Sequence, residues 1–265
     1  MAVSSPGAGE LALSGLVAVV TGAAGGFGRA TAERLLREGA RVALWDIDAD
    51  RVAVAARELD PSGAAALAIG VDVGDSAAVD RAAARTREAL GPIGALVNNA
   101  GVVDAARPWE VSDESWERHF RVNAHGAFYC VRACLPDMRE RRYGKIVNIG
   151  SLAAQQGRPT TNPAYPASKG AVLGLTVSLA RHLGEFGICV NAINPGFIKT
   201  EIHDQFTEAE LTPLTADIPL HRRGERGAHG RPEDIAAAVF FLVSPDSDFV
   251  TGEYLSVNGG TRTGS

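Results

Sequence analysis

The sequence has few of the residues that build disulfide frameworks or zinc sites. It holds 3 cysteines among 265 residues, and Cys130, Cys134 and Cys189 all stand in apolar surroundings. Neither their number nor their surroundings suit a disulfide framework or a zinc site. The 6 histidines do not follow HExxH or a similar ligand spacing. We therefore predict no metal and interpret the cysteines as core thiols.

Basic stripes and long apolar runs are also missing. The formal net charge is −5, and lysine and arginine are scattered along the chain. Such a surface offers no patch for a nucleic-acid backbone. No apolar run reaches the roughly 18 residues needed to span a bilayer, and residues 1–10 lack the features of a signal peptide. We predict a cytoplasmic protein with neither nucleic acid nor membrane as a partner.

The chain does contain a regular alternation of apolar runs and amphipathic stretches. With 46% hydrophobic residues, it can bury a substantial core as one domain. The apolar runs are typical of parallel strands, and the stretches between them are typical of helices that cover a sheet. The expected strands are 16–20, 41–45, 65–70, 95–98, 145–149, 189–193 and 254–257. The expected helices are 29–38, 49–59, 76–90, 113–139, 163–183 and 232–243.

A glycine cluster stands between the first expected strand and the first expected helix. It reads TGAAGGFG from Thr21 to Gly28. Glycine lets a backbone approach a pyrophosphate closely, and a helix N-terminus presents oriented N–H groups to it. Asp46 ends the second strand, where a carboxylate can bind the adenosine ribose and would repel the 2′-phosphate of NADP. The pattern favours NAD as the cofactor; the alternative is that Asp46 only caps the next helix.

These features together predict an α/β fold, a single-domain Rossmann-type doubly wound parallel sheet of about seven strands with helices on both faces. Residues 13–265 are expected to form one dinucleotide-binding catalytic domain after a flexible tail over 1–12. Residues 199–231 mix glycine, proline, histidine and charge, which is typical of a substrate flap built from short helices.

Ser151, Tyr165 and Lys169 form a second motif. Tyr165 and Lys169 are four residues apart on an expected helix, so both side chains project from one face. A free tyrosine has a pKa of about 10, and a nearby ammonium lowers that pKa by stabilising the phenolate. Ser151 follows a strand and is expected at the carboxyl edge of the sheet, where such folds bind ligands. Taken alone, these residues also suit a solvated helical pair and a serine that caps a turn.

In this order, the motifs resemble those of the short-chain dehydrogenase/reductase family in its classical form, over residues 16–260. They are the loop at Thr21 to Gly28, Asp72-Val73, the run Asn98 to Gly101, Asn123, Ser151, the YxxxK pair and Pro195-Gly196. The adjacent Gly25 and Gly26 also fit the loop of the longer extended members, but the length of the chain suits the classical form. The resemblance implies hydride transfer between NAD and a secondary alcohol or ketone.

The resemblance also implies a role for each matching residue. Tyr165 would be the acid-base catalyst, and Lys169 would lower its pKa and bind the nicotinamide ribose. Ser151 would donate to the developing alkoxide. Asn123 would join a water-mediated proton relay, unless it is only a polar residue on a solvated helix face. The residues implied in cofactor binding are Gly22, Gly25, Gly26, Phe27, Gly28, Asp46, Ile47, Asp72, Val73, Asn99, Ala100, Gly101, Tyr165, Lys169, Pro195, Gly196, Ile198 and Thr200.

The substrate is specified less sharply than the cofactor. The expected walls are mostly apolar with some amides and hydroxyls, which suits an alcohol or ketone of moderate polarity, although Arg158 and His203 leave acids and acyl thioesters open. The expected wall residues are Val102, Val103, 152–156, 160–162, Phe197, Ile202, His203 and Phe206. One alternative is an NADP-linked ketoreductase, for example one acting on 3-oxoacyl thioesters. A remote alternative is an NAD-binding regulatory protein that has lost catalysis.

The two longest expected helices carry more apolar residues than one sheet face requires. Examples are Phe128, Leu173, Leu175 and Leu179. The excess indicates a protein that is not a monomer. The family resemblance implies a homotetramer, with a homodimer as the alternative.

Overall fold

The structure is a computed structural model that describes residues 11–157, 161–200, 215–216, 218–221 and 229–262. Seven parallel strands form one sheet in the order β3-β2-β1-β4-β5-β6-β7. Their bounds are β1 Val17–Thr21, β2 Arg41–Asp46, β3 Ala66–Gly70, β4 Ala95–Asn98, β5 Gly144–Ile149, β6 Ile188–Pro195 and β7 Tyr254–Val257. The order reverses between β1 and β4, so the sheet is doubly wound and the predicted fold class is confirmed.

Helices cover both faces of this sheet. Their bounds are α1 Gly26–Arg37, α2 Ala49–Leu59, α3 Ser76–Leu90, α4 Asp113–His119, α5 Gly126–Arg141, α6 Ala153–Gln156, α7 Ala164–Leu183 and α8 Pro232–Val243. Neighbouring strand residues enter opposite core clusters, because side chains alternate along a strand. Leu96 joins the cluster that includes residues of α3 and α5, whereas Val97 joins the cluster that includes residues of α1 and α8.

The helix predicted over 113–139 is interrupted. Helix α4 ends at His119, and Phe120–His125 form a π-helical segment before α5 begins. A π-helical turn widens the helix and often marks a functional site. The apolar pattern could not reveal it, since one widened turn barely shifts a period of 3.6 residues. Helix α1 also begins earlier than predicted, at Gly26, and the short helix α6 was not predicted.

Helix α7 begins at an asparagine cap. The Asn162 side-chain oxygen accepts the backbone N–H of Ala164 at 2.9 Å, and its amide nitrogen donates to the Asp104 carboxylate at 2.7 Å. Pro166 lies in the first turn, where a missing N–H costs little. The helix continues unbroken to Leu183, as the sequence predicts.

The outward apolar surface of α7 is smaller than predicted. Leu173 is buried, and Leu179 packs against the core of the chain itself. Neither residue is therefore part of a broad exposed apolar face. Leu175 and Phe128 remain at the surface beside a shallow hollow.

Several predictions fall partly or wholly outside the described residues. These are the tail 1–12, much of the flap 199–231, and the wall residues Arg158, Thr160, Ile202, His203 and Phe206. The single-domain organisation and the flap therefore stay predictions. Within the described ranges, no helix is long and apolar enough to cross a membrane, and no cluster of three or more His, Cys, Asp or Glu could hold a metal ion. All 3 cysteines are free and buried, as predicted.

Candidate active site

The glycine loop after β1 lies against the segment that follows β4. Gly22 has φ of 64°, and a Cβ atom there would lie 2.9 Å from both the Asn99 amide nitrogen and the Ala100 Cα. At Gly28, a Cβ atom would collide with the carbonyl oxygen of Gly22. Both positions therefore require glycine, one for its conformation and both for their close contacts.

Hydrogen bonds fix this contact between the two segments. The Thr21 hydroxyl oxygen accepts the N–H groups of Asn99 and Ala100, each at 2.9 Å. The Asn99 side chain donates back to the carbonyls of Thr21 and Gly22 at 2.8 and 3.0 Å. The loop is thus held open by its neighbours before any ligand binds.

Asp46 stands at the end of β2 beside the same loop. Its carboxylate accepts the N–H of Ala24 at 2.9 Å and the N–H of Asp48 at 3.0 Å. Asp48, not Asp46, is the N-cap of α2 and accepts the N–H of Arg51. The alternative that Asp46 only caps this helix is therefore wrong. Each oxygen of Asp46 keeps acceptor capacity for a hydroxyl group.

The start of α1 fits a pyrophosphate. Its N-cap is Gly25, no side chain caps it, and the first turn holds no acidic residue. Its first N–H groups and the positive end of the helix dipole can therefore serve an anion. Thr200, which follows the end of β6, lies beside this loop: its methyl group would be 3.6 Å from a Cβ atom at Gly26. With Asp46 nearby, these residues fit a dinucleotide such as NAD.

Asp72 and Val73 lie after the end of β3. Arg121, from the π-helical segment, donates to the Asp72 carboxylate at 2.7 Å, and the N–H of Gly74 donates at 2.8 Å. Burial works to raise the pKa of Asp72, but the Arg121 hydrogen bond, the Gly74 hydrogen bond and the Arg121 charge together lower it. Val73 is buried and packs against Gly126. Asp72 therefore stays ionised and fixed in place.

Four predicted cofactor residues, Phe27, Ile47, Gly196 and Ile198, lie in different surroundings. Ile47 is 73% exposed, whereas Ile198 is buried in the core cluster beside α1 and α8, so its side chain faces away from the site. Phe27 packs against the same cluster. The N–H of Gly196 donates to the carbonyl of Val257 at 2.9 Å, which ties the Pro195-Gly196 turn to β7. Contacts of Phe27, Ile198 and Gly196 with a cofactor would therefore involve mainly their backbone.

Asn123 is buried within the π-helical segment, so the alternative of a solvated helix face is wrong. Its side-chain oxygen accepts the N–H of Val102 at 2.8 Å, and its amide nitrogen donates to the carbonyl of Val102 at 3.0 Å. A Cβ atom at Gly101 would lie 3.1 Å from the Asn123 oxygen and 3.4 Å from the Lys169 nitrogen. The structure thus brings Asn123 and Lys169 to the same glycine.

Lys169 is a buried cation on α7. Its side chain donates to the carbonyl of Ile149, the last residue of β5, at 2.7 Å. Burial lowers the pKa of Lys169 to about 8. No carboxylate of the described residues lies within ion-pair distance of it. The charge of Lys169 is therefore only partly compensated by the protein.

Ser151 lies just after the end of β5, and Tyr165 lies at the start of α7. The buried Ser151 hydroxyl accepts the N–H of Ala153 at 3.1 Å, so it does cap a turn, but its hydrogen remains available for donation. Tyr165 is partly buried in the first turn of α7. Sequence reasoning missed Ser168, whose hydroxyl donates to the Tyr165 carbonyl at 2.8 Å. A serine three residues after Tyr165 is a recognisable signal for such a bond.

A small cavity of about 10 Å³ lies beside Asn123 and Lys169. It is about the size of one water molecule. The side-chain oxygen of Asn98, which lines it, is buried without a hydrogen-bond partner among the described residues. The other lining residues are Thr21, Val73, Ala100, Val122, Asn123, Gly126, Ala127, Cys130, Ile149, Lys169 and Val172.

Known proteins are similar in sequence over nearly the whole chain. Residues 22–262 match a family model described as enoyl-(acyl carrier protein) reductase. The chain is 38% identical over 251 residues to 2-dehydro-3-deoxy-L-rhamnonate dehydrogenase (NAD(+)) of Sphingomonas sp. (strain SKA58), covering 94% of this chain and 96% of that protein. It is 38% identical over 253 residues to 3alpha-hydroxysteroid dehydrogenase of Mediterraneibacter gnavus, covering 95% and 98%. Sorbitol dehydrogenase of Cereibacter sphaeroides is 37% identical over 260 residues, covering 94% and 98%.

The fold and these matches define an oxidoreductase with a nicotinamide cofactor. The chain belongs to the short-chain dehydrogenase/reductase family in its classical form. It is an NAD-dependent dehydrogenase that interconverts a secondary alcohol and a ketone. The predicted family, activity and cofactor are therefore confirmed.

Proposed function

We propose that Tyr165, Lys169, Ser151 and Asn123 perform the proton chemistry of this dehydrogenase. The observation that carries the proposal is the buried ammonium of Lys169, one helical turn from Tyr165. Burial lowers the pKa of Lys169 to about 8. A partly compensated cation favours a negative charge beside it. Lys169 therefore favours the phenolate form of Tyr165 that alcohol oxidation needs.

The proton and hydride leave the alcohol separately. NAD, held by the glycine loop and Asp46, would supply the acceptor for the hydride of the carbinol carbon. The phenolate of Tyr165 takes the hydroxyl proton, and in ketone reduction the phenol returns it. Ser151 donates its hydrogen to the substrate oxygen as negative charge develops there. Acid-base help of this kind typically contributes about 10²–10⁴-fold to the rate.

We propose that Asn123 and the small cavity beside it provide a path for the proton that leaves Tyr165. The cavity of about 10 Å³ is lined by Asn98, Asn123 and Lys169, and one water there would have polar partners on several sides. Asn123 lies within the π-helical segment, and such segments often occur at functional sites. Water in this position would connect Lys169 with Asn123.

The decisive experiment replaces Tyr165 with phenylalanine. Oxidation of secondary alcohols, followed by NADH absorbance, should fall by at least about 10²-fold in Tyr165→Phe, because no other group replaces the phenolate. NAD affinity and melting temperature should stay near those of the native protein. Tyr143→Phe is a matched control, since Tyr143 is a partly buried tyrosine whose pKa is far raised by burial, outside the site. Unchanged turnover in Tyr165→Phe would show that the assigned mechanism is wrong.

We propose a binding role for each group of predicted cofactor residues. The loop of Gly22, Gly25, Gly26 and Gly28 would bind the pyrophosphate, and Asp46 the adenosine ribose. The other predicted cofactor residues would line the adenine and nicotinamide sides, including Asp72, Val73, Asn99, Ala100, Gly101, Pro195, Gly196 and Thr200.

Exchange of Asp46 tests the cofactor assignment. Asp46→Ser should lower kcat/KM with NAD by roughly tenfold or more, because the ribose loses charged acceptors. It should also raise the relative rate with NADP, since the repulsive carboxylate is gone. Measured rates with both cofactors decide the matter. A native protein that prefers NADP would instead support the alternative of an NADP-linked ketoreductase.

We propose a homotetramer as the assembled form, with a homodimer as the alternative. A hollow of about 400 Å³ on α5 and α7 is lined by Ala124, His125, Phe128, Tyr129, Ala171 and Leu175. Exposed apolar residues of this kind favour association. On a second surface, Phe249 is fully exposed and Phe241 is 40% exposed. Sedimentation of the native protein and of Phe128→Glu, which should dissociate, tests the proposal.

We place the protein in the cytoplasm as one catalytic domain with a substrate flap. Its 3 cysteines are all free, which suits a reducing compartment. Limited proteolysis should cut within residues 199–231 and leave the rest intact if the flap is correctly assigned.

A further inference from the structure

A buried serine connects two of the groups proposed to carry the chemistry. Ser168 is fully buried on α7, directly before Lys169. Its hydroxyl oxygen accepts the Asn123 amide nitrogen at 2.9 Å and donates to the Tyr165 carbonyl at 2.8 Å. One side chain thus joins the π-helical segment to the turn that carries Tyr165.

The second contact of this serine completes the hydrogen bonds of Asn123. A primary amide has two N–H donors. One donor of Asn123 goes to the Val102 carbonyl at 3.0 Å, and the other goes to Ser168 at 2.9 Å. Without the serine oxygen, a buried N–H of Asn123 loses its partner, and the amide can rotate to find another.

The partners of Ser168 distinguish it from an ordinary buried helical hydroxyl. Serine often bonds back to a carbonyl in its own helix, and such a bond alone says nothing about function. Ser168 makes that bond to Tyr165 and also accepts from a residue 45 positions earlier in the chain. The second bond crosses between helices, in the one place where Asn123, Gly101 and Lys169 meet.

We propose that Ser168 is a positioning residue for the dehydrogenase reaction. Its hydroxyl holds the Asn123 amide and the first turn of α7 in register, so that Asn123, Tyr165 and Lys169 keep the alignment that proton transfer needs. The inference rests on the roles proposed above for Asn123 and Tyr165. A misplacement of reacting groups by about 1 Å can lower a rate by roughly 10²-fold.

The same helix supplies a matched control. Thr176 is also fully buried on α7, accepts an asparagine amide, that of Asn148, at 2.9 Å, and donates to the Val172 carbonyl at 2.8 Å. Its asparagine lies within strand β5 and accepts the Asn98 amide at 2.9 Å. Thr176→Val and Ser168→Ala therefore remove the same kinds of hydrogen bond, one to Asn148 and the other to Asn123.

The two variants should lose similar stability but differ in catalysis. Ser168→Ala should lower kcat by roughly tenfold or more with little change in NAD affinity, and should move the acid limb of the pH profile for alcohol oxidation to higher pH. Thr176→Val should keep the native kcat and pH profile. Equal kcat and equal pH profiles in Ser168→Ala and the native protein would overturn the inference, as would equal losses in both variants.

A double-mutant cycle tests whether Ser168 acts through Asn123. In the Asn123→Ala background, Ser168→Ala should cause less than about a twofold further loss in kcat, because the amide that it positions is gone. A full additional loss would contradict the inference. Tyr165→Phe separates this inference from the proposed function. If Tyr165→Phe stays active, the site assignment fails; if it is inactive while Ser168→Ala is normal, only the positioning role fails.

Discussion

A buried lysine side chain lies at each end of strand β5, and the two lysines have different hydrogen-bond partners. Lys145 lies near the start of the strand, is 1% exposed, and donates to the Asp248 carboxylate at 2.7 Å and the Ser247 hydroxyl at 3.1 Å. Lys169 reaches the other end from α7, is 4% exposed, and donates to the Ile149 carbonyl at 2.7 Å. The first has a carboxylate partner and the second has a neutral one.

The difference separates a structural cation from one suited to chemistry. Asp248 has a side chain that is 56% exposed, so the Lys145 pair is neutralised while one partner stays hydrated. Lys169 has no such counter-charge among the described residues, and burial lowers its pKa to about 8. A cation held in this state interacts strongly with any negative charge formed beside it. Burial by itself therefore does not identify a catalytic lysine, but burial without a carboxylate is informative.

Exchange of each lysine should have the largest effect. Lys169→Met should lower kcat/KM for alcohol oxidation by about 10²–10⁴-fold, because the phenolate of Tyr165 loses its stabilising charge. Lys145→Met should stay within about threefold of the native rate, since it lies at the opposite end of the strand. Steady-state rates per folded protein provide the measurement. Equal losses in the two variants would remove the proposed distinction.

The second-largest expected effect is the pH dependence of the unfolding free energy that Lys169 causes. The ordinary pKa of 10.5 falls to about 8 for Lys169 in the folded protein. Protonation of Lys169 therefore destabilises the folded protein relative to the unfolded chain. This loss of stability is fully present below about pH 8 and disappears as the pH rises to about 10.5. Unfolding free energy from Lys169 should rise by about 3 kcal/mol across that window.

This second prediction is best measured as a difference between variants. Raised pKa values of Cys130, Cys134 and Tyr143 act in the opposite direction, because these groups stay protonated longer when folded. Denaturant unfolding of the native protein and Lys169→Met, both without NAD, cancels these groups. The stability advantage of Lys169→Met should be largest near about pH 7 and shrink toward about pH 10.5. A constant difference would show that Lys169 titrates normally.

Removal of the carboxylate beside Lys145 should have the smallest effect. Asp248→Asn leaves the buried ammonium without its charged partner and should reduce the unfolding free energy by about 1–2 kcal/mol, less than for a fully buried pair because Asp248 is half exposed. Turnover should not change. Asp246→Asn, at an exposed neighbouring carboxylate, serves as the control and should leave stability unchanged. Thermal and denaturant unfolding would detect the difference.

Much of this arrangement follows from local sequence, and the rest does not. Apolar runs are enough to predict the strands, because a parallel sheet is buried on both faces. The loop from Thr21 to Gly28 and the Tyr165–Lys169 spacing are also local. The π-helical segment and the bond between Asn123 and Ser168 depend on how two helices meet, so no local pattern contains them.

The two buried lysines show the same limit. Nothing near Lys145 in the sequence indicates Asp248, more than 100 residues later. Whether a lysine acquires a carboxylate partner is decided by strand order and loop placement. Its chemistry therefore becomes visible only once the fold is known.

The hydrogen bond from Ala24 to Asp46 has a consequence for redesign of this enzyme. The carboxylate proposed to bind the ribose also fastens the glycine loop to β2, at 2.9 Å. An engineer who replaces Asp46 with arginine to recruit NADP would detach that loop at the same time. A second change that supplies a new acceptor for the Ala24 N–H should be introduced together with it, and the pair should outperform either change alone.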